Sequence, residues 1–180
     1  PTGAGKTVIF SELARLARLP VLVLAHRDEL LGQARDKLAT ALGQEGGEGS
    51  VSIEQGSRRA PASARVVVAS IRSLHEQRLE KVLALREFGL VIYDECHHAA
   101  AEDNLRVLRR LGAFDEGWKG TLLGFTATTA RGDGKGLDAV FERIVYSQTL
   151  PDLIELGYLA PLAGYRICLL YTSDAADDTP

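Results

Sequence analysis

Two short stretches hold most of the residues that could do chemistry. The chain opens PTGAGKT, residues 1–7. Gly3 and Gly5, with Ala4 between them, let the backbone turn so that successive N–H groups point inward at phosphate oxygens, and a helix starting there adds the positive end of its dipole. Lys6 would reach the β- and γ-phosphates, and the Thr7 hydroxyl would ligate Mg²⁺. This is how a Walker A loop ends; only its first small residue and the strand before it are missing. The competing reading is a glycine-containing turn that caps a helix. The second stretch is LVIYDECHH, residues 90–98. An apolar strand runs straight into Asp94 and Glu95 at its C-terminal end, where open parallel sheets place ligands. Asp94 could hold Mg²⁺ through a water, and Glu95 could orient the water attacking the γ-phosphate or accept its proton. Alone, such a pair is more often a solvated helix cap. Joined to PTGAGKT it reads as a Walker B motif, and the implied cofactors are ATP and Mg²⁺.

Cys96, His97 and His98 invite a zinc reading, but metal sites draw on paired ligand clusters and the other histidines, His26 and His75, stand alone. Polar coupling from the nucleotide site to a neighbouring motif is the more natural role for His97. Thr126 and Thr128 end a buried strand and can hydrogen-bond polar neighbours such as His97, or simply cap the strand. Between Gln55 and His75 the chain carries Arg58, Arg59, Arg65 and Arg72 and no acidic residue. Such a run is usually a solvated face. Because it brackets a strand, Arg58, Arg59, Arg72 and Ser70 are candidate phosphate contacts, with Arg27 and Ser73 beside them. No interleaved aromatics are present to read bases, so tracking of the backbone is expected.

The elements that must position these groups follow from periodicity. Val21–Ala25, Val66–Ser70, Leu90–Tyr93 and Thr121–Phe125 are continuous apolar runs suited to strands buried on both faces, and Val51–Glu54 and Ile144–Ser147 are weaker candidates. Ile9, Leu13 and Leu16 share a face of a helix that Pro20 ends, and Leu30, Ala34, Leu38 and Leu42 share a face of the next. Further helices are expected over Asn104–Leu111, Leu137–Phe141 and Asp152–Leu156. Alternating helices and strands predict an α/β domain with a mostly parallel sheet. Residues 43–50, GQEGGEGS, read as a surface loop. With 180 residues, 46% of them hydrophobic, and a net charge of −3, the chain is an ordinary one-domain length rather than a disordered segment or a wholly basic nucleic-acid binder. No apolar run approaches the roughly 20 residues a membrane span needs, and no signal peptide is visible, so no membrane and a cytoplasmic setting are expected.

The motifs together resemble the first RecA-like domain of superfamily-two DExH-box helicases and translocases. PTGAGKT and DECH carry the resemblance. GFTATTAR, residues 124–131, is similar to motif III, with Thr129 where the closest branch has proline; AHRDELLGQ, residues 25–33, resembles motif Ia, and VVVASIRSL, residues 66–74, motif Ib. Residues 133–162 resemble the branch containing type III restriction subunits and repair-type DExH helicases. The resemblance implies a P-loop NTPase, RecA-like three-layer α/β/α fold with its first strand missing, and an ATP hydrolase whose Thr126 and Thr128 link nucleotide state to nucleic-acid grip. It implies DNA rather than RNA as partner, and a missing second RecA-like domain that supplies arginine fingers. A duplex-DNA translocase that does not separate strands shares every motif. A small-molecule kinase would leave DECHH and TATTAR unexplained, and a non-enzymatic nucleic-acid-binding module with a vestigial nucleotide site fits poorly with intact Lys6, Thr7, Asp94 and Glu95.

The absence of Met and the start at Pro1 inside a motif point to a fragment, residues 1–167. The remainder, residues 168–180, has no apolar period, and CLLYTSDAADD resembles the in-frame translation of a transposase-type sequencing adapter, a non-native tail. That tail holds Asp174, Asp177 and Asp178 and no Lys or Arg, so it accounts for the whole net charge of −3.

Overall fold

A computed structural model describes residues 5–25, 28–43, 49–128 and 137–164. Gly3, Ala4, Arg27, Thr129 and the proposed tail lie outside the described residues. The strands are Val21–Ala25 (β1), Val51–Glu54 (β2), Val66–Ser70 (β3), Leu90–Asp94 (β4) and Thr121–Phe125 (β5). They form one five-stranded sheet in the order β2-β3-β1-β4-β5, every pairing parallel. Every residue of β1 and β3 is buried, and all of β4 but Asp94. Covered on both faces, these strands have no solvent side to which polar residues could alternate.

The helices are Lys6–Leu16 (α1), Asp28–Leu42 (α2), Glu76–Leu85 (α3), Glu102–Arg110 (α4) and Leu150–Glu155 (α5). On one face Phe10, Ala14, Leu31, Ala34, Leu38 and Leu42 of α1 and α2 cover Val21, Val23, Val66, Val68 and Ile92. On the other, Leu79 and Val82 of α3 and Val107, Leu108 and Leu111 around α4 cover Leu22, Leu24, Val67, Val91 and Tyr93. The parallel α/β sheet expected from the alternation is observed, and its helices form the three-layer arrangement that the resemblance implied. Because all strands run the same way, their C-terminal ends, Ala25, Glu54, Ser70, Asp94 and Phe125, share one edge of the sheet.

Several details differ from the sequence reading. Ile144–Ser147 is not a strand: it pairs with nothing described, and Ile144, Val145 and Tyr146 are about two-thirds exposed or more. A β-rich composition makes no strand without a ladder to join. The buried face of α1 is Phe10, Ser11 and Ala14, not Ile9, Leu13 and Leu16; Ile9 and Leu16 are exposed. With Val8, Ile9, Phe10, Leu13 and Leu16 all apolar, the helix offers two faces, and packing against α2 and β5 selects the one with Phe10, whose ring meets Phe125 edge-on at 5.8 Å. Helix α3 is an element the periodicity reading does not include. Leu137–Ala139 is a 3₁₀ turn rather than an α-helix, and α5 begins two residues early, where Thr149 and Asp152 form a reciprocal capping box.

Candidate active site

The first helix turn presents the site's cation. Gly5, at φ 76°, adopts a left-handed conformation that costs glycine nothing and starts α1 without a side-chain cap. Its uncapped N-terminus faces the end of β4 across a cleft of about 310 Å³ lined by Gly5, Lys6, Thr7, Val8, Phe10, Gln33, Ala34, Lys37, Asp94 and Glu95. Sequence reasoning missed Gln33 and Lys37. They lie four residues apart on α2, and only the packing of α2 on α1 brings them to the cleft. A smaller cleft of about 190 Å³, between α3 and Trp118, holds none of the candidate residues.

Across the cleft Lys6 Nζ lies 3.0 Å from Glu95 Oε1. Glu95 reaches it from a left-handed backbone, φ 53°, the one described non-glycine residue with positive φ. That conformation costs about 1 kcal/mol or more for a residue with a Cβ, and it turns the carboxylate back toward α1. The Glu95 N–H also donates to Asp94 Oδ1 at 3.0 Å. Asp94 is half-buried, and its carboxyl titrates above the ordinary range: burial is the main cause, the adjoining Glu95 charge adds to it, and Lys6 offsets part. A carboxylate in that setting gains from a nearby cation. The Cys96 thiol is pushed up to about 12 by burial and then by Glu95, so it is neutral and takes no part in nucleophilic chemistry.

A polar chain leaves the cleft from Glu95. His97 Nδ1 lies 3.3 Å from Glu95 Oε2 and 3.0 Å from Thr126 Oγ1. The Thr126 hydroxyl donates to Thr128 O at 2.7 Å and accepts from the Thr128 N–H at 3.1 Å. With that hydroxyl proton committed, the consistent tautomer carries its proton on His97 Nδ1. The three residues expected to couple are therefore joined, Thr128 through its backbone. The register that pairs Tyr93 with Gly124 and Asp94 with Phe125 places Thr126 level with Glu95. Gly124 makes the approach close: a Cβ there would stand 2.7 Å from Cys96 Sγ and 2.5 Å from Phe141 Cζ.

The basic run does not form one surface. Arg58 is exposed on the turn after β2, and Arg72 is exposed on the 3₁₀ turn Ile71–Ser73 after β3. Arg59 is folded back onto Gly56 O and Arg58 O. Arg65 donates to Arg15 O and Ala17 O, closing the end of α1. Ser70 is wholly buried, and its hydroxyl has no hydrogen-bond partner among the described residues. As the last residue of an interior strand, flanked by β1 and β2, Ser70 lies under the surface.

The family model for the type III restriction enzyme, res subunit, matches residues 1–131. A protein named as a mitochondrial ATP-dependent helicase, irc3, of Schizosaccharomyces pombe is 38% identical over 164 residues, 88% of this chain and 26% of that protein. One named as a DNA 3'-5' helicase, Rad25, of Halobacterium salinarum is 33% identical over 141 residues, 77% of this chain and 21% of that protein. The chain thus spans about a quarter of the length of these relatives. Among solved structures, the Hef helicase domain of Pyrococcus furiosus superposes with a TM-score of 0.56 at 26% identity, covering 71% of this chain and 28% of that one.

Proposed function

This chain belongs to the family described as type III restriction enzyme, res subunit, and from that premise we propose that it is the ATP-binding half of a DNA-dependent motor, residues 1–167 forming a DExH-type first RecA-like domain. The observation that carries the reading is the meeting of Lys6 and Glu95 across the cleft at 3.0 Å, with Asp94 and Thr7 beside them. Residues far apart in sequence converge where a triphosphate would lie against a helix N-terminus.

The steps follow from these side chains. A triphosphate entering the cleft competes with Glu95 for Lys6, whose ammonium then neutralises the β- and γ-oxygens. Glu95, released, orients a water and takes its proton as the water oxygen bonds to the γ-phosphorus and ADP leaves. Thr7 and Asp94 offer hard oxygen donors that suit Mg²⁺. No group of three or more His, Cys, Asp or Glu side chains among the described residues could hold a metal unaided, so phosphate oxygens and water would complete its shell. Mg²⁺ supplies charge neutralisation on the transferred phosphoryl group. The His97–Thr126–Thr128 chain would carry the change in Glu95 to the segment after β5. Arg58 and Arg72 stand at the strand-end edge and would meet a DNA backbone there, with Arg27 proposed as a further contact. A second domain closing the cleft would add the trans-acting arginine, worth roughly 10³ to 10⁵ in rate.

The test uses the intact protein: DNA-stimulated ATP hydrolysis is expected, with Lys6→Ala weakening nucleotide binding about tenfold or more. A strand-displacement assay then separates an unwinding motor from a duplex translocase. Failure to bind ATP, or transfer of phosphate to a small molecule, would overturn the proposal. Among the described residues no helix is long and apolar enough to cross a membrane.

A further inference from the structure

We propose that Lys37 is the arrival contact of the nucleotide cleft: it takes the incoming triphosphate first and hands it to Lys6 as Glu95 lets go. The inference rests on the reading of this cleft as a nucleotide site and adds a residue that sets how fast the site fills.

The two lysines that line the cleft differ in what holds them. Lys6 is committed, its ammonium 3.0 Å from Glu95 Oε1. Lys37 is exposed and makes no hydrogen bond or ion pair among the described residues. The described charges beside it cancel at close range. Arg35 Nε lies 2.9 Å from Asp36 Oδ1 on the same helix, and on the neighbouring α1 Arg15 Nε lies 2.9 Å from Glu12 Oε2. Lys37 therefore brings an uncompensated ammonium to the cleft. Its place on α2 suits the role. Lys37 follows Gln33 by one turn, so both reach the cleft, while the neighbouring Ala34 and Leu38 are buried. Side chains on a helix lean toward its N-terminus, and the N-terminal end of α2 follows the C-terminal end of β1, at the edge where Asp94 and Glu95 stand.

The balance of charge gives Lys37 its weight. With it, the formal charges of the four ionisable side chains lining the cleft cancel; without it, Asp94 and Glu95 outweigh Lys6 and the cleft repels an anion. The lining also includes the buried Phe10 and Ala34, and apolar walls of low dielectric constant focus the field of a charge into a cleft. A triphosphate can bind Lys6 only after that ammonium leaves Glu95. A contact that requires no such exchange forms first. Time spent on Lys37 raises the chance that Lys6 changes partners before the nucleotide escapes. Once Lys6 holds the β- and γ-oxygens, Lys37 has served arrival and adds little to retention.

The experiment is stopped-flow binding of a fluorescent, non-hydrolysable ATP analogue with Mg²⁺ to the intact protein across a salt series. Lys37→Gln removes the charge and keeps nearly the same helix propensity, so an unchanged melting temperature is expected. Its association rate should fall about fivefold relative to the parent at roughly 0.02 M salt, and by less than about twofold at roughly 0.5 M, where the Debye length is only a few ångströms. The dissociation rate should stay as in the parent. Lys37→Arg keeps the charge and should associate within about twofold of the parent rate. In Glu95→Gln, where Lys6 is free to capture phosphate at once, the loss caused by Lys37→Gln should narrow to about twofold or less. Parent-like association in Lys37→Gln, a loss that is the same at every salt concentration, or a loss confined to dissociation would overturn the arrival role. Equal losses in Lys37→Arg and Lys37→Gln would overturn it too, because charge would not be the cause. An equal loss with and without Glu95 would overturn the hand-over to Lys6. An unmutated protein that binds no analogue would instead overturn the proposed nucleotide site on which the inference rests.

Discussion

Replacing Glu95 by Gln should separate binding from turnover in opposite directions. In this structure Lys6 is not waiting free for phosphate; it is held 3.0 Å from Glu95 Oε1, with side-chain exposures of 19% and 35%. The gross attraction of two unit charges at that distance is about 5 kcal/mol for an effective dielectric constant of about 20. Partial exposure, salt and the cost of holding two side chains in one geometry reduce the net value to about 1 kcal/mol. A triphosphate must displace that contact. The isosteric amide removes the charge, so the triphosphate should bind about fivefold more tightly, 1.4 kcal/mol being a factor of ten. Turnover should fall by roughly 10² to 10⁴, the contribution of a general base. The assay is a fluorescence titration of the intact protein with a non-hydrolysable ATP analogue, alongside single-turnover phosphate release. Removing a negative charge near the phosphates would also tighten binding, so the cycle is completed with Lys6→Ala. If Lys6 is the source of the effect, Glu95→Gln gains little in that background. Unchanged or weaker binding in the single variant, or an equal gain with and without Lys6, would refute the competition.

Three further outcomes follow from local packing and titration. Gly124→Ala places a Cβ 2.5 Å from Phe141 Cζ and 2.7 Å from Cys96 Sγ, so about 1–3 kcal/mol of stability should be lost to overpacking; an unchanged denaturant midpoint would show that Phe141 moves aside at no cost. With its thiol pushed up to about 12, Cys96 should alkylate about 10³-fold more slowly at pH 8 than in the unfolded chain, measured with Cys168→Ser in place, and equal rates would contradict its burial. The Thr149 hydroxyl, then the Thr149 backbone, holds the Asp152 carboxyl below its usual range. A depressed carboxyl contributes stability above its unfolded value and loses it as pH falls through the folded one. Asp152→Ala should therefore speed amide exchange in α5 at neutral pH, with the difference closing below about pH 4; a difference independent of pH would assign the effect to something other than the carboxylate.

How much of this was legible in the sequence depended on whether the signal was local. Lys6 and the Asp94–Glu95 pair could be assigned to one proposed nucleotide site from their two motifs, though nothing in the spacing put Lys6 in contact with Glu95. The helix face of α1 could not, since five apolar residues on one helix are compatible with either face until α2 and β5 are in place. Helix α3 was hidden behind the basic run that precedes it, although Leu79, Val82 and Leu83 repeat with helical spacing. The arginine run looked uniform as text, and the fold divides it: Arg65 closes a helix, Arg59 braces a turn, and Arg58 and Arg72 face solvent. Ser70 ends up inside because β1 pairs on one side of β3 and β2 on the other.

By itself, the sequence determined the alternating α/β architecture and singled out the residues proposed to handle phosphate. Burial on both faces forces unbroken apolar runs, and phosphate chemistry allows few substitutes for glycine, lysine and paired carboxylates. Only the tertiary structure decided the Lys6–Glu95 contact, the His97–Thr126 link, the entry of Lys37 into the cleft and the burial of Glu54 beside Arg78 under the turn after β2. Those depend on strand order, register and helix packing, which join residues distant in the chain by distances no spacing rule encodes.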